Sequence, residues 1–235
     1  MKKLAIFVEG QTEQIFIERL LQEAAGKHSI SIEKKQALGG QSTRRYLRLI
    51  QGASRISDSK FYAQIIDCRA DNRVGSDVRD SYEGLVNAGF SSIIAIRDVS
   101  PDFKPSEIEQ LRTGLRYRMR TRPVEVVFAL GVMEVEAWFI AEYNHFSKIS
   151  PTLTPDLIKS KLGFDPRTDD LQKRPHPAED LKQCYRLVGQ TYNKNAAIVQ
   201  RTISVLGYER VWLDLPSRFP DLRALVAEID RFLSP

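Results

Sequence analysis

The chain has 235 residues, 42% hydrophobic and 28% charged, with a formal net charge of +5. That mix excludes wholesale disorder, collagen-like repeats and disulfide-rich scaffolds, and a chain of this length can bury a full core. The two cysteines, Cys68 and Cys184, lie far apart and fit no metal-ligand spacing, which points to a reducing compartment, while the mild basic excess favours an anionic partner. No stretch approaches the ~20 apolar residues that cross a bilayer. At the N-terminus, Leu4 to Val8 is a short apolar run broken by Glu9, too short for a signal peptide and of the right length for a buried strand. A cytoplasmic protein without membrane association is the expectation.

After Gly10, the spacing of Ile15, Phe16, Leu20, Leu21 and Ala24 predicts a helix that Gly26 ends. Ser29 to Ala37 alternates weakly and reads as a second strand. Gly39-Gly40 form a turn, and Ser42 or Thr43 caps a predicted helix carrying Tyr46, Leu47 and Ile50. Phe61 to Ile66 is the third strand, ending at Asp67. A helix from about Ser76 to Ala88 stops at Gly89, and Ser92 to Ile96 is the fourth strand, ending at Arg97-Asp98. Pro105 and Ser106 start a helix with Ile108, Leu111, Leu115 and Met119 on its apolar face. Val124 to Leu130 is the fifth strand, and Glu134 to Tyr143 a further helix. Strands alternating with helices through short loops predict an α/β fold with a mainly parallel sheet flanked by helices. Beyond it the composition changes, with five of the eleven prolines between 151 and 177 and no long periodic element there. Helices follow at Leu181 to Leu187, Ala196 to Leu206 and Leu222 to Leu233. Residues 1–148 read as the α/β domain and 149–235 as a mostly helical C-terminal extension.

Ligands of parallel sheets bind outside the carboxyl ends of the strands. Glu9, Asp67 and Asp98 each stand at such an end, with Asp71 and Asp102 four residues after the last two. Adjacent strands are ~4.8 Å apart, so these acids can converge. Converging carboxylates repel one another unless a cation or a proton sits between them, and Mg²⁺ or Mn²⁺ are suited to oxygen ligands and phosphate substrates. Of the two acids at the start of the later helix, Glu134 and Glu136, only one can face such a site, and Glu136 is preferred. Glu13, in a first helical turn, reads as a favourable partner of the helix dipole.

Val8-Glu9-Gly10-Gln11-Thr12-Glu13 after a first strand resembles the VEGxTE opening of TOPRIM domains, in particular the nuclease type of OLD-family and stand-alone TOPRIM-like proteins. Glu134-Val135-Glu136-Ala137-Trp138 resembles a helix start in some stand-alone members, extending the likeness from about residue 4 to about 143. Asp67-Cys68-Arg69 stands where the family has DxD, and Asp98-Val99-Ser100 is no DxD either, so Glu9 carries over directly. The resemblance implies a TOPRIM-like, Rossmann-like fold and an Mg²⁺- or Mn²⁺-dependent endonuclease acting on phosphodiesters, DNA ahead of RNA. Glu9, Asp67 and Asp98 would be catalytic and, with Glu136, metal-holding. It also implies a separate ATPase partner, since no nucleotide-binding motif lies in the chain, and a phage-defence role.

Arg112, Arg116 and Arg120, spaced i, i+4, i+8, would form one stripe able to track phosphates or simply face solvent. Arg44, Arg45 and Arg48 read as a solvated cluster, Gly39-Gly40 as a turn rather than a phosphate cradle, and Trp138 and Trp212 as core. His28, His145 and His176 share no motif. Two other functions fit the same fold: a non-catalytic binding module, and nucleotidyl or phosphoryl transfer on a smaller substrate.

Overall fold

The computed structural model describes residues 1–26, 29–40, 43–53 and 59–234, with the backbone alone at Asp71; the side chain of Asp71 and the residues His28 and Ser42 lie outside what is described. In chain order the elements of the sheet region are β1 (Lys2–Val8), α1 (Gln11–Ala25), β2 (Ile30–Leu38), β3 (Tyr46–Gln51), β4 (Phe61–Asp67), α2 (Val74–Asn87), β5 (Ser92–Asp98), α3 (Ile108–Arg116) and β6 (Val126–Gly131). The helical remainder is α4 (Glu136–Ala141), α5 (Asn144–Ile149), α6 (Pro155–Leu162), α7 (Pro177–Arg186), α8 (Ala196–Val205), α9 (Tyr208–Leu213) and α10 (Pro220–Leu233).

The six strands lie in the order β3-β2-β4-β1-β5-β6, and every neighbouring pair is parallel except β2 with β3. Burial explains the placing of β1. Its residues Leu4 to Val8 are wholly buried, and their alternation divides them between two layers. Leu4, Ile6 and Val8 pack with Phe16, Ile17 and Leu20 of α1 and with the C-terminal helices. Ala5 and Phe7 pack with Val74, Val78 and Tyr82 of α2 on the other face. Each large side chain so buried contributes roughly 2 kcal/mol, which favours a central position for the most apolar strand. The C-terminal helices share one hydrophobic cluster with α1 and the sheet, through Trp138, Tyr185, Leu222 and Phe232 among others.

Two expectations are corrected. The segment read as a helix around Tyr46 to Ile50 is strand β3, antiparallel to β2. The two glycines decide this: Gly39 (φ 80°) and Gly40 (φ 138°) turn the chain back, and a Cβ on Gly39 would stand 2.6 Å from the Arg44 carbonyl oxygen. The arginine stripe is also broken. Helix α3 ends at Arg116, Tyr117 is extended, and Arg118 adopts a left-handed φ of 56°. Arg120 is therefore off the helix. The proline-rich stretch holds α6, a two-turn helix too short for periodicity to reveal. The Thr154 hydroxyl accepts from the Leu157 amide (3.2 Å), Pro155 opens the helix, and Gly163 (φ 75°) closes it. No helix among the described residues is long and apolar enough to cross a membrane.

Candidate active site

The order β4-β1-β5 puts the three strand-end acids on neighbouring strands at one edge. Val8 is in register with Asp67, and Phe7 with Ala95, so Glu9 lies between Asp67 and Asp98. Glu9 and Asp98 are joined directly: the Asp98 amide donates to Glu9 Oε2 at 2.9 Å. Asp98 Oδ1 in turn accepts from the Val135 amide at 3.1 Å, just ahead of α4. Gly131 makes room for this. A Cβ there would lie 2.3 Å from Asp98 Oδ1, so only glycine lets the carboxylate tuck against the end of β6.

Two further acids complete the group. Glu13 is buried in the first turn of α1, and its Oε2 accepts from the Gly10 amide at 2.9 Å. Glu136 is wholly buried at the start of α4; its Oε1 accepts from the Tyr192 hydroxyl at 2.8 Å, while its Oε2 has no hydrogen-bond partner among the described residues. Burial, followed by the charges of Glu13, Glu9 and Glu136, holds the Asp98 carboxyl well above the ordinary carboxylate range. Burial and then Glu136 raise Glu13 to about 7. Burial also raises Glu136, with Lys194 opposing it. Lys194 is the cation of the group. Burial alone would lower its affinity for a proton, but Glu136, Asp98, Glu134 and Glu13 raise it.

Asp67 stands slightly apart. Its Oδ2 accepts from the Gln36 side chain at 2.9 Å and its Oδ1 from the Arg69 amide at 2.8 Å, while Gln36 is fixed by Arg48 at 2.8 Å. Arg69 has a left-handed φ of 58°. Glu9, Glu13, Asp67, Gln36, Arg69 and Lys194 line one cavity of about 410 Å³. Asp102 is held by Arg97 at 2.6 Å.

Thus Glu9, Asp98 and Glu136 belong to one centre, Asp67 lines its mouth, and Glu13 joins them where sequence alone assigned it to the helix dipole. Glu134 is turned aside, its Oε2 accepting from the Ala178 amide at 2.7 Å. Of the arginines, Arg112 makes two bonds to buried Asp221 (3.0 and 2.7 Å) and Arg120 pairs with Glu83 at the surface. Arg45 is likewise committed to Asp77.

The donor chemistry suits a hard divalent cation: carboxylates from separate elements, and one buried oxygen, Glu136 Oε2, without a partner. As the side chains stand, no three His, Cys, Asp or Glu residues among the described residues converge tightly enough to hold a metal ion.

A family model described as a domain of unknown function, DUF4276, matches residues 8–204. That span runs from the residue before Glu9 into α8 and includes every acid of the centre as well as Tyr192 and Lys194. No curated protein and no solved structure matches the chain.

Proposed function

The chain belongs to the DUF4276 family, and from that footing we propose that it is a metal-dependent nuclease with a TOPRIM-like core. The observation that carries this reading is the group of half-buried Glu9 with buried Glu13, Asp98 and Glu136 at the carboxyl edge of a parallel sheet, one Glu136 oxygen without a partner among the described residues. Acids so placed repel and resist ionisation, a cost that a folded protein keeps where function requires it. The VEGxTE likeness adds the reaction class, phosphodiester cleavage with DNA ahead of RNA.

Glu9, Asp98 and Glu136 are the residues that would hold Mg²⁺ or Mn²⁺, which when bound activates water and offsets charge on the phosphate. Glu13, which keeps its proton up to about pH 7, is the group suited to take and return a proton near neutrality. Arg69, exposed at the cavity mouth, meets the incoming phosphate backbone. Asp67 orients this turn by accepting from the Arg69 amide. The likeness also suggests a separate ATPase partner and a role in phage defence.

Plasmid nicking with Mg²⁺ or Mn²⁺ tests the reading. Wild type should cleave, EDTA should stop it, and Glu9→Gln and Glu136→Gln should each lose at least ~100-fold, the scale of a lost catalytic group. Absence of cleavage by wild type on duplex DNA, single-stranded DNA and RNA would refute the nuclease. The non-catalytic reading has one observation behind it, the failure of three acids to converge; it predicts nucleic-acid binding without cleavage and without any effect of metal.

A further inference from the structure

We propose that the Gly39–Gly40 turn, with Arg73 against it and Arg69 beside it, is a cradle for successive phosphates of a nucleic-acid strand. This rests on the nucleic-acid part of the reading above and on no metal ion.

Strands β2 and β4 run side by side with Gln36 opposite Asp67, so the turns that follow them leave the same edge of the sheet. Arg45 clamps those two turns together. Its guanidinium donates to the Gly39 carbonyl at 3.0 Å and to the Cys68 carbonyl at 2.8 Å, and its other bonds go to buried Asp77 of α2. Arg45 is thereby a fixed frame whose charge is already balanced. Gly40 lies open on this frame. Its amide donates to the Thr43 carbonyl at 2.9 Å, and its φ of 138° is one that other residues rarely adopt. A Cβ there would stand 3.3 Å from Arg73 Nη2 and 3.7 Å from Arg45 Nη1. Glycine thus keeps a space clear in front of two guanidinium groups.

Arg73 differs from the arginines described above. Arg45, Arg112 and Arg120 each have a carboxylate partner, whereas the half-buried Arg73 side chain makes no hydrogen bond or ion pair among the described residues. Nor does the Arg69 side chain, since Asp67 engages only the Arg69 amide. Both arginines stand on the connection between β4 and α2, Arg69 in the wall of the cavity with Glu9 and Asp67 and Arg73 against Gly40. Guanidinium groups gathered without acids repel one another, and a polyanion relieves that repulsion. Their planar forks match phosphate oxygens, and a strand laid from Gly40 past Arg69 reaches the acidic centre.

Fluorescence anisotropy of a labelled duplex DNA and of a single-stranded RNA of equal length tests this on the full chain, in EDTA and over a range of salt. Arg73→Gln should reduce the slope of log K against log salt by about one unit, uniformly across sequences, on whichever of the two the wild type binds. Arg73→Lys should keep the slope because it keeps the charge, and Arg73→Gln should melt with wild type because no partner is lost. Arg116→Gln, at the end of α3, controls for general charge and should leave the slope unchanged. A wild-type slope in Arg73→Gln, an equal loss in Arg116→Gln, or competition by polyglutamate as strong as by polyphosphate overturns the cradle and leaves the nuclease to its own cleavage test. The expected slope change in a chain that cleaves neither nucleic acid with Mn²⁺ upholds the cradle and overturns the nuclease. Binding to neither overturns the cradle, and cleavage then decides the nuclease alone.

Discussion

Glu136 and Glu142 stand at the two ends of the same short helix, α4, and are alike in solvent exposure. Both are wholly inaccessible, both are raised above the ordinary carboxylate range chiefly by desolvation, and each has one oxygen without a hydrogen-bond partner. Their surroundings differ. Glu136 faces other acids and Lys194. Glu142 faces the His145 amide (3.2 Å), the Arg210 guanidinium (3.9 Å) and Gly207, where a Cβ would come within 3.0 Å. Burial holds His145 near a pKa of 4, so it is neutral, and its Nδ1 meets the Glu142 carbonyl at 2.6 Å. Arg210 lies over the Tyr143 ring at 4.2 Å. The second group locks α4 and α5 to α9. A raised carboxyl therefore marks burial; acids gathered against acids are what the proposed function adds to it.

The sharpest test of that contrast is stability. Glu142→Ala should cost about 3 kcal/mol in urea unfolding, because it leaves a cavity and strips Arg210 of its buried partner. Glu136→Gln should leave the apo protein as stable or more so while removing the Mn²⁺-dependent rise in Tm. If Glu136→Gln is the more damaging of the two, the contrast is reversed and Glu136 is structural. Gly131→Ala comes next, at about 2 kcal/mol from overpacking against Asp98, with cleavage lost together with stability. A stable, active Gly131→Ala would show that Asp98 need not be tucked against β6.

A third test uses pH. Glu13 releases its proton at about 7 in the folded chain but near 4.5 when unfolded. Between those values the folded state binds more protons, so apo stability falls as pH rises through that window, by about 1 kcal/mol or more. Glu13→Gln should flatten that part of the curve, and Mn²⁺ should flatten it in wild type. The smallest effect is expected at Arg116, exposed at the end of α3. Arg116→Ala should change stability by less than ~0.5 kcal/mol, whereas Arg112→Ala orphans Asp221 and should be clearly destabilising in the same melt.

Much of the frame was legible because burial leaves a pattern. The apolar runs of β1, β4 and β5 and the acids closing them could be read directly, and they meet at one edge. Strand β3 could not, because every one of its side chains is exposed and no alternation survives for a reader to follow. Glu13 keeps the first-turn place read for it, accepting the Gly10 amide at 2.9 Å; its burial beside Asp98 was not legible, because a first-turn acid has a sufficient local explanation. Tyr192 and Lys194 carried no signal. Tyr192 reaches Glu136 across 56 residues, and only tertiary packing brings them together. The arginine stripe failed through backbone geometry at Tyr117 and Arg118 and through pairing partners equally remote in sequence.

The sheet's two margins are unlike. At β6, α10 packs alongside and its Asp221 takes up the Leu130 amide at 2.9 Å. At β3, Tyr46, Leu47, Leu49 and Ile50 are turned to solvent, with no strand beyond among the described residues. Among the described residues, sheet extension is thus open at β3 and covered at β6. Two chains meeting there about a twofold axis would merge into a single sheet of twice six strands, sealed at each far margin by its own α10. Self-association through that margin would end at a pair, and a filament could not grow from it.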